Sequence, residues 1–295
     1  MEKLFRQNHY SIVHGELTAM NFFSLKCAKK ASVPVRICHA HSTEGKGEFA
    51  KNLLKNILKP RSRKYATDFF ACSKLAGTWL FGKEAVEQGK VFLVRNAIDT
   101  SRFLFHQDIR DRVRKEEGWE GKTVYGHVGR FCKQKNQKFL LSSFKILHEK
   151  KPNSFLVLVG EGELFEDIRN YAKKLGIFDC VSFLGLRKDV NELMQGFDSF
   201  LLPSHYEGLP VVGIEAQVSG LPCFFSDKVT REAQFNPNCF FFPISDPKNF
   251  ANQVLEAEKR MLPGRKPEKK LLQEYDIQEQ AKCLESKYEE LLKKV

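Results

Sequence analysis

Apolar positions along the 295-residue chain fall into short runs that alternate with stretches of helical spacing. Runs rich in β-branched and aromatic residues at 10–14, 33–39, 68–72 and 91–94 read as strands. Between them, 19–31, 49–65 and 74–81 space apolar residues three and four apart, as on one helix face. Residues 2–8 read as the end of a helix. The alternation resumes with strands at 123–128, 154–159, 181–183, 197–202, 222–225 and 239–242. Helical spacing separates them at 136–150, 164–175, 190–195 and 211–219, and follows at 249–261 and 277–292. Such alternation predicts α/β architecture, with parallel sheets joined by right-handed crossovers.

Two stretches lack a clear period. Residues 102–121 are charged and read as a linker, and the basic stretch 259–270, broken by Pro263 and Gly264, reads as a hinge. The expected domains are therefore 1–104, with four strands, and 105–295, a complete doubly wound unit. A terminal helix, 277–295, is expected to fold back on the first unit. Doubly wound nucleotide-binding domains usually carry about six strands, so the first unit is expected to be incomplete.

A hydrophobic content of 42% with 26 Phe supplies buried cores, and no run of eighteen apolar residues predicts a membrane span. The opening Met1-Glu2-Lys3-Leu4-Phe5-Arg6 lacks the apolar core of a secretion signal. Eight cysteines stand singly, none in a C-x-x-C pattern, and read as buried thiols of a reducing cytoplasm. The net charge of +12 is concentrated early: residues 1–104 hold 18 Lys/Arg against 8 Asp/Glu, and the remainder 30 against 28. With no zinc-finger or RRM signature, this basic half points to an anionic membrane surface, at the inner face of the plasma membrane, and not to nucleic acid. Helix 49–65 sets Phe49, Leu53, Leu54, Ile57 and Leu58 against Lys51, Lys55 and Lys59, followed by Arg61, Arg63 and Lys64. That pattern suits a helix lying on anionic headgroups, and equally one packed on a sheet with a solvated basic face.

Candidate chemistry gathers at strand ends. Pro203-Ser204-His205-Tyr206-Glu207-Gly208-Leu209-Pro210 joins strand 197–202 to helix 211–219, with Pro210 expected at the first helical position. Free N–H groups from Gly208 through Leu209, Val211 and Val212, with the helix dipole, make an anion site. Glu207 and Glu215 frame it, too far apart for one acid/base pair, so they grip different parts of an extended ligand. The alternative is a plain corner with two solvated glutamates. Gly129-Arg130-Phe131-Cys132-Lys133-Gln134-Lys135 follows strand 123–128, where Arg130 and Lys135 are placed to neutralise a diphosphate or, alternatively, form a solvated basic loop. Gly160-Glu161-Gly162 is a turn that lets backbone approach a ligand. Gly185-Leu186-Arg187-Lys188-Asp189 offers backbone groups to a nucleobase, with Asp189 read as the cap of helix 190–195. His14, His39 and His41 stand near strand ends, where an imidazole can bond a sugar hydroxyl or a leaving phosphate. No D-x-D, H-E-x-x-H or Walker loop occurs, and no metal is required.

Gly129-Arg130 with Lys135, Gly160-Glu161-Gly162, Phe183-Leu184-Gly185 and Pro203-Ser204 through Glu207-Gly208-Leu209-Pro210 to Glu215-Ala216 resemble the retaining GT-B glycosyltransferases of family 4, the glycosyl transferases group 1. His39-Ala40-His41-Ser42-Thr43, Phe70-Ala71-Cys72-Ser73-Lys74 and Asn96-Ala97-Ile98-Asp99 are most similar to its capsular and exopolysaccharide enzymes. The resemblance implies two Rossmann-like domains, the N-terminal one lacking its first part. It implies catalytic roles for Arg130 and Lys135 at the diphosphate, Glu207 at the transferred sugar and His41 at the acceptor, with His39 as fallback. Glu215 would bind the ribose, Gly208 through Val212 the sugar and phosphate, and Gly129 with backbone around Leu186 and Arg187 the rest of the nucleotide. It implies a nucleotide-sugar donor, with UDP as nucleotide, as substrate and no cofactor, and a polyprenyl-linked or glycan acceptor. Where relatives show His-x-His, this chain has His14-Gly15-Glu16. The alternatives are a truncated or split GT-B protein, completed by a partner chain, that binds nucleotide sugar without independent transfer, or a nucleotide-sugar epimerase.

Overall fold

Parallel strands covered on both faces are apolar throughout, and their side chains divide by twos between the faces. A computed structural model describes residues 1–41 and 49–295 of the chain and forms two units from such strands. Unit 1 is Met1–Ala97 with Ile277–Val295, and unit 2 is Ile98–Asp276.

Unit 1 holds β1 (Ile12–Gly15), β2 (Val35–Ala40), β3 (Asp68–Ala71) and β4 (Val91–Leu93), all parallel in the order β1-β2-β3-β4. Its sheet presents Val35, Ile37 and Phe70 to one layer and Cys38, Ala40 and Ala71 to the other. Leu284, Tyr288 and Leu291 of the helix Ile277–Leu292 cover the first layer. On the helix Phe49–Tyr65, Leu58 is buried while Leu53, Leu54 and Ile57 are exposed, so packing on the sheet accounts for only part of its apolar face. The stretch His39-Ala40-His41-Ser42-Thr43 is described only as far as His41; Ser42 and Thr43 lie outside the described residues.

Unit 2 holds β5 (Thr123–Val128), β6 (Ser154–Val159), β7 (Val181–Phe183), β8 (Ser199–Leu202), β9 (Cys223–Ser226) and β10 (Cys239–Phe242). They form one parallel sheet in the order β10-β9-β8-β5-β6-β7. Alternation is strict: Val124, Val157, Phe200, Leu202 and Phe225 face one core layer, and Tyr125, Leu156, Leu158, Leu201 and Phe224 the other.

Three expectations shift. The boundary lies at Ala97/Ile98, not 104/105, because Ile98 and Phe103 are buried in the unit 2 core. The stretch read as a linker contains the helix Gln107–Glu116, which buries Val113 and fixes two of its charges. Arg110 and Arg114 bind Asp198 at 2.5 and 3.1 Å, and Asp198 also accepts from the Val124 N–H at 2.8 Å. The expected hinge is likewise anchored and leads into the helix Lys269–Tyr275. Arg265 donates to the carbonyls of Met194, Gln195, Phe197 and Ser219, and burial, with Arg110 nearby, pushes its pKa down to about 9.

Asp198 therefore holds helix Gln107–Glu116 against the edge of β5. Asp198→Ala is expected to cost about 2–3 kcal/mol, since it strips a partner from two mostly buried guanidinium groups. The melting temperature should fall by roughly 5–10 °C. Arg112→Ala, on the exposed side of the same helix, should move it by under ~2 °C. Equal shifts for both, measured by scanning calorimetry, would show that Asp198 has no special role.

Candidate functional site

In unit 2 the chain runs from β5 outward through β6 to β7, then returns to place β8 on the other flank of β5. At such a reversal the two departing loops diverge to opposite faces and leave a crevice at the carboxyl ends of the strands. Those loops are 129–136, after β5, and 203–210, after β8. Both were singled out by their sequence.

Four side chains and one backbone bond join them. Lys135 Nζ donates to Glu207 Oε1 at 2.6 Å, with the two side chains only 16% and 9% exposed. Gln134 donates to the Tyr206 carbonyl at 3.0 Å and to Glu207 Oε2 at 3.2 Å, while the His205 N–H donates to the Gln134 carbonyl at 2.8 Å. Asn136, left-handed at φ 57°, donates to the Pro203 carbonyl at 3.2 Å and opens the helix Gln137–Lys150. An ammonium has three N–H donors, so one bond to Glu207 leaves Lys135 two for anionic oxygens.

Beneath the loop, His127 donates Nδ1–H to the Leu201 carbonyl at 2.8 Å, and burial pushes its pKa down to about 4. Gln137 donates to the Arg130 carbonyl at 2.9 Å and lies 3.4 Å from His127 Nε2, which fixes the loop backbone. The Arg130 guanidinium itself points outward, 72% exposed, and meets Glu163 at 3.0 Å. A pair that exposed is worth little, so Arg130 remains available to a stronger anion.

The second loop is held by a parallel bridge between Glu207 and Val229. At Gly208 an added Cβ would meet nothing within 4 Å, so the chain's own packing does not require glycine there. Its bare backbone faces open space, as suits close approach by a ligand. Pro210 is the cap of the helix Val211–Val218, not its first residue: its carbonyl accepts from Gly213 and Ile214 at 3.0 and 3.3 Å. The first-turn N–H groups of Val211 and Val212 have no intrahelical partner. One turn on, the Glu215 carboxylate is partly buried and, among the described residues, has no ion-pair or hydrogen-bond partner. Burial pushes its carboxyl above the usual range.

A cleft of about 550 Å³ adjoins the first loop, lined among others by Gly129, Arg130, Gly160, Glu161, Leu186 and Arg187. Gly160 and Gly162 line this cleft and also serve packing between loops. At φ 132° and 158°, a Cβ on them would lie 2.3 and 2.4 Å from the carbonyl oxygens of Gly129 and Phe131, so they let two loops touch. Asp189 stands at the cap position of Val190–Gly196, yet its carboxylate takes Arg187 in two bonds, 2.8 and 2.6 Å, instead of a helix N–H. Arg187 also binds Glu117 at 3.0 Å, so its charge is already compensated. Leu186 is 73% exposed at the cleft rim.

His41 and His39 lie in unit 1, with ring centroids 3.9 Å apart. The residues missed by sequence reasoning are Gln134, Asn136, Gln137 and His127. Asn136, directly before a helix, carried the one readable signal, an αL-tolerant residue at a cap.

The pattern of the family described as "Glycosyl transferases group 1" matches residues 109–270, more than half of the chain. EpsF of Bacillus subtilis (strain 168), named as a glycosyltransferase, is 38% identical over 76% of this chain and 59% of its own length. The UDP-Gal:alpha-D-GlcNAc-diphosphoundecaprenol alpha-1,3-galactosyltransferase of Escherichia coli is 28% identical over 76% of this chain and 60% of its own. The chain thus spans about three fifths of the length of these curated relatives. Among solved structures, Anabaena Alr3699/HepE in complex with UDP superposes with a TM-score of 0.83 at 17% identity, over 98% of this chain and 80% of its own. The same protein with UDP-glucose gives 0.78 at 19%, over 97% and 80%. These likenesses show the fold: α/β, two parallel-sheet domains, as in GT-B proteins.

An unpartnered, partly buried carboxylate costs stability whenever it is ionised. Its raised pKa means that the cost is full at neutral pH and fades as pH falls through the folded value toward 4. Glu215→Gln is therefore expected to raise the melting temperature of the free protein by roughly 1–3 °C at pH 7.5, with the gain shrinking at pH 4.5. A lower melting temperature at pH 7.5 would count Glu215 among the groups that support the fold.

Proposed function

The chain belongs to the family of glycosyl transferases group 1, and from that membership we propose that it binds a nucleotide sugar, with UDP as the nucleotide, at the β5–β8 crevice. The whole protein would pass the sugar, with retention of configuration, to a lipid-linked or polysaccharide acceptor. The observation that carries this reading is the charge arrangement of the crevice. Lys135 is partly buried with two donors to spare, Arg130 is loosely paired, and Glu215 is desolvated with no partner among the described residues.

Each group suits one part of such a donor. Lys135 and Arg130 take the diphosphate and stabilise the negative charge that grows on it as the glycosidic bond breaks. Free amides of Gly208, Leu209, Val211 and Val212 add hydrogen bonds to sugar and phosphate. Glu207, oriented by Lys135 and Gln134, accepts from the transferred sugar. Glu215 accepts from the ribose hydroxyls, which repay its desolvation with charge-assisted bonds. The cleft at Leu186 and Arg187 takes the base, through backbone groups, since the Arg187 side chain is committed elsewhere. His41, in unit 1, is the proposed acceptor-side histidine. No metal is assigned a step at the crevice.

Leu53, Leu54 and Ile57 stand exposed on a helix that also carries Lys59, Arg61, Arg63 and Lys64. That face suits an anionic membrane, where a lipid-linked acceptor would be met. Among the described residues no helix is long and apolar enough to cross a membrane.

A second reading, nucleotide-sugar binding without independent transfer, is favoured by the four-stranded sheet of unit 1 beside six strands in unit 2. Isothermal titration of UDP tests the donor site: Glu215→Ala, Lys135→Met and Arg130→Ala are each expected to weaken binding about tenfold or more. Gly208→Ala should weaken it without loss of melting temperature. Equal affinity in wild type and all four variants would refute the site. Turnover of a UDP-sugar by the chain alone would exclude the binding-only reading.

A further inference from the structure

Lys135 reaches Glu207 along a path fixed from behind. Its stem lies over Gly129, where an added Cβ would stand 3.2 Å from Lys135 Cδ and Cε. The ammonium then meets Glu207 Oε1 at 2.6 Å, and Gln134 holds Oε2 at 3.2 Å. The Glu207 backbone is tied in turn to Val229 by a parallel bridge. Both carboxylate oxygens are thus engaged, and the side chain, 9% exposed, has little room to swing away.

That immobility bears on any anion that Lys135 accepts. Two oxygens on one ammonium, each about 2.8 Å from the nitrogen, stand roughly 4.5 Å apart at tetrahedral spacing. Like charges at that range repel, and more strongly where water is scarce. A diphosphate on Lys135 therefore meets its cation and a fixed anion together. A carboxylate has about four lone-pair sites, of which Lys135 and Gln134 take one each. The others can accept from the hydroxyls of a sugar joined to the diphosphate, which offsets the repulsion. A bare nucleoside diphosphate brings no hydroxyl to that place, and its terminal phosphate carries about one more negative charge at pH 7.

Resting on the donor reading of the crevice, we propose that Glu207 selects the nucleotide sugar against the nucleoside diphosphate that transfer leaves behind. The carboxylate accepts from the sugar while it is attached and repels the diphosphate once it is gone. Glu207 so promotes release of that product, which Lys135 alone would retain.

Isothermal titration of the full chain with UDP tests it. Glu207→Gln keeps the length of the side chain and an oxygen for Lys135 but removes the charge. It is expected to bind UDP about fivefold more tightly than wild type. Without ligand its melting temperature should be lower, because Lys135 loses its counter-ion. Saturating UDP should accordingly raise that temperature further than in wild type. Glu207→Asp keeps the pair but draws the charge back, and should tighten UDP by about twofold; it decides the matter if Glu207→Gln does not fold. UDP binding that is unchanged or weaker in the folded variants, while Lys135→Met weakens it, would overturn the proposal and leave the donor site standing. Unchanged affinity in Lys135→Met, Arg130→Ala and Glu215→Ala would instead remove the donor site, and the proposal with it.

Discussion

A lysine and a glutamate, Lys135 and Glu207, meet at 2.6 Å between the loops that leave β5 and β8, and the crevice of unit 2 depends on that contact. Neither charge is tolerable alone at its depth, since an unpaired ion removed from water costs several kcal/mol. Each therefore requires the other loop to be in place. The sheet order brings the loops side by side, because β8 returns to the free flank of β5 after β7. Topology supplies the neighbourhood and the ion pair fixes the register. Gln134 and Asn136 then use neutral donors to hold carbonyls of the facing loop, which leaves the charges free to be shared with a ligand.

The remaining charges divide into satisfied and unsatisfied groups, and the division has a functional sense. Arg187 is surrounded by Asp189 and Glu117, Arg265 by four backbone carbonyls, and Arg110 and Arg114 by Asp198. These cations serve the fold. Among the described residues, Glu215 is desolvated and has no partner, and Arg130 has only an exposed one. Groups left in that state destabilise the free protein slightly, and under the proposed donor binding a ligand with hydroxyls for one and phosphate oxygens for the other would recover the difference. Stability given up locally becomes binding energy.

Strand positions were legible in the sequence because parallel, doubly covered strands are written as unbroken apolar runs. Thr123–Val128, Ser154–Val159 and Cys239–Phe242 were read with their observed bounds. Helix Gln107–Glu116 was not, since its inner face adds Arg110 and Arg114 to Val113 and Ile109, and their charges conceal that they are held by Asp198 some ninety residues away. For the same reason the stretch around Arg265 looked like a hinge. At the crevice the charged residues were legible by type and strand-end placement. That Lys135 grips Glu207, and that Asp189 serves Arg187 and not a helix N–H, was not, because partner choice is decided by tertiary distance.

The two units treat the imidazole differently, and this separates scaffold from chemistry. His127 is buried in unit 2 with both ring nitrogens occupied, Nδ1 by the Leu201 carbonyl and Nε2 by Gln137, and so acts as a spacer under the Arg130 loop. His39 is buried to a similar degree in unit 1, yet among the described residues one of its nitrogens has no partner, and its ring neighbours two further histidines. Burial alone lowers the pKa of both and tells nothing of role. The difference lies in hydrogen-bond accounting: a buried ring with both nitrogens satisfied has no capacity left for a ligand, whereas the His14–His39–His41 group retains it. Terminal-helix Tyr288 closes that group on one side, its hydroxyl 2.6 Å from His14 Nδ1.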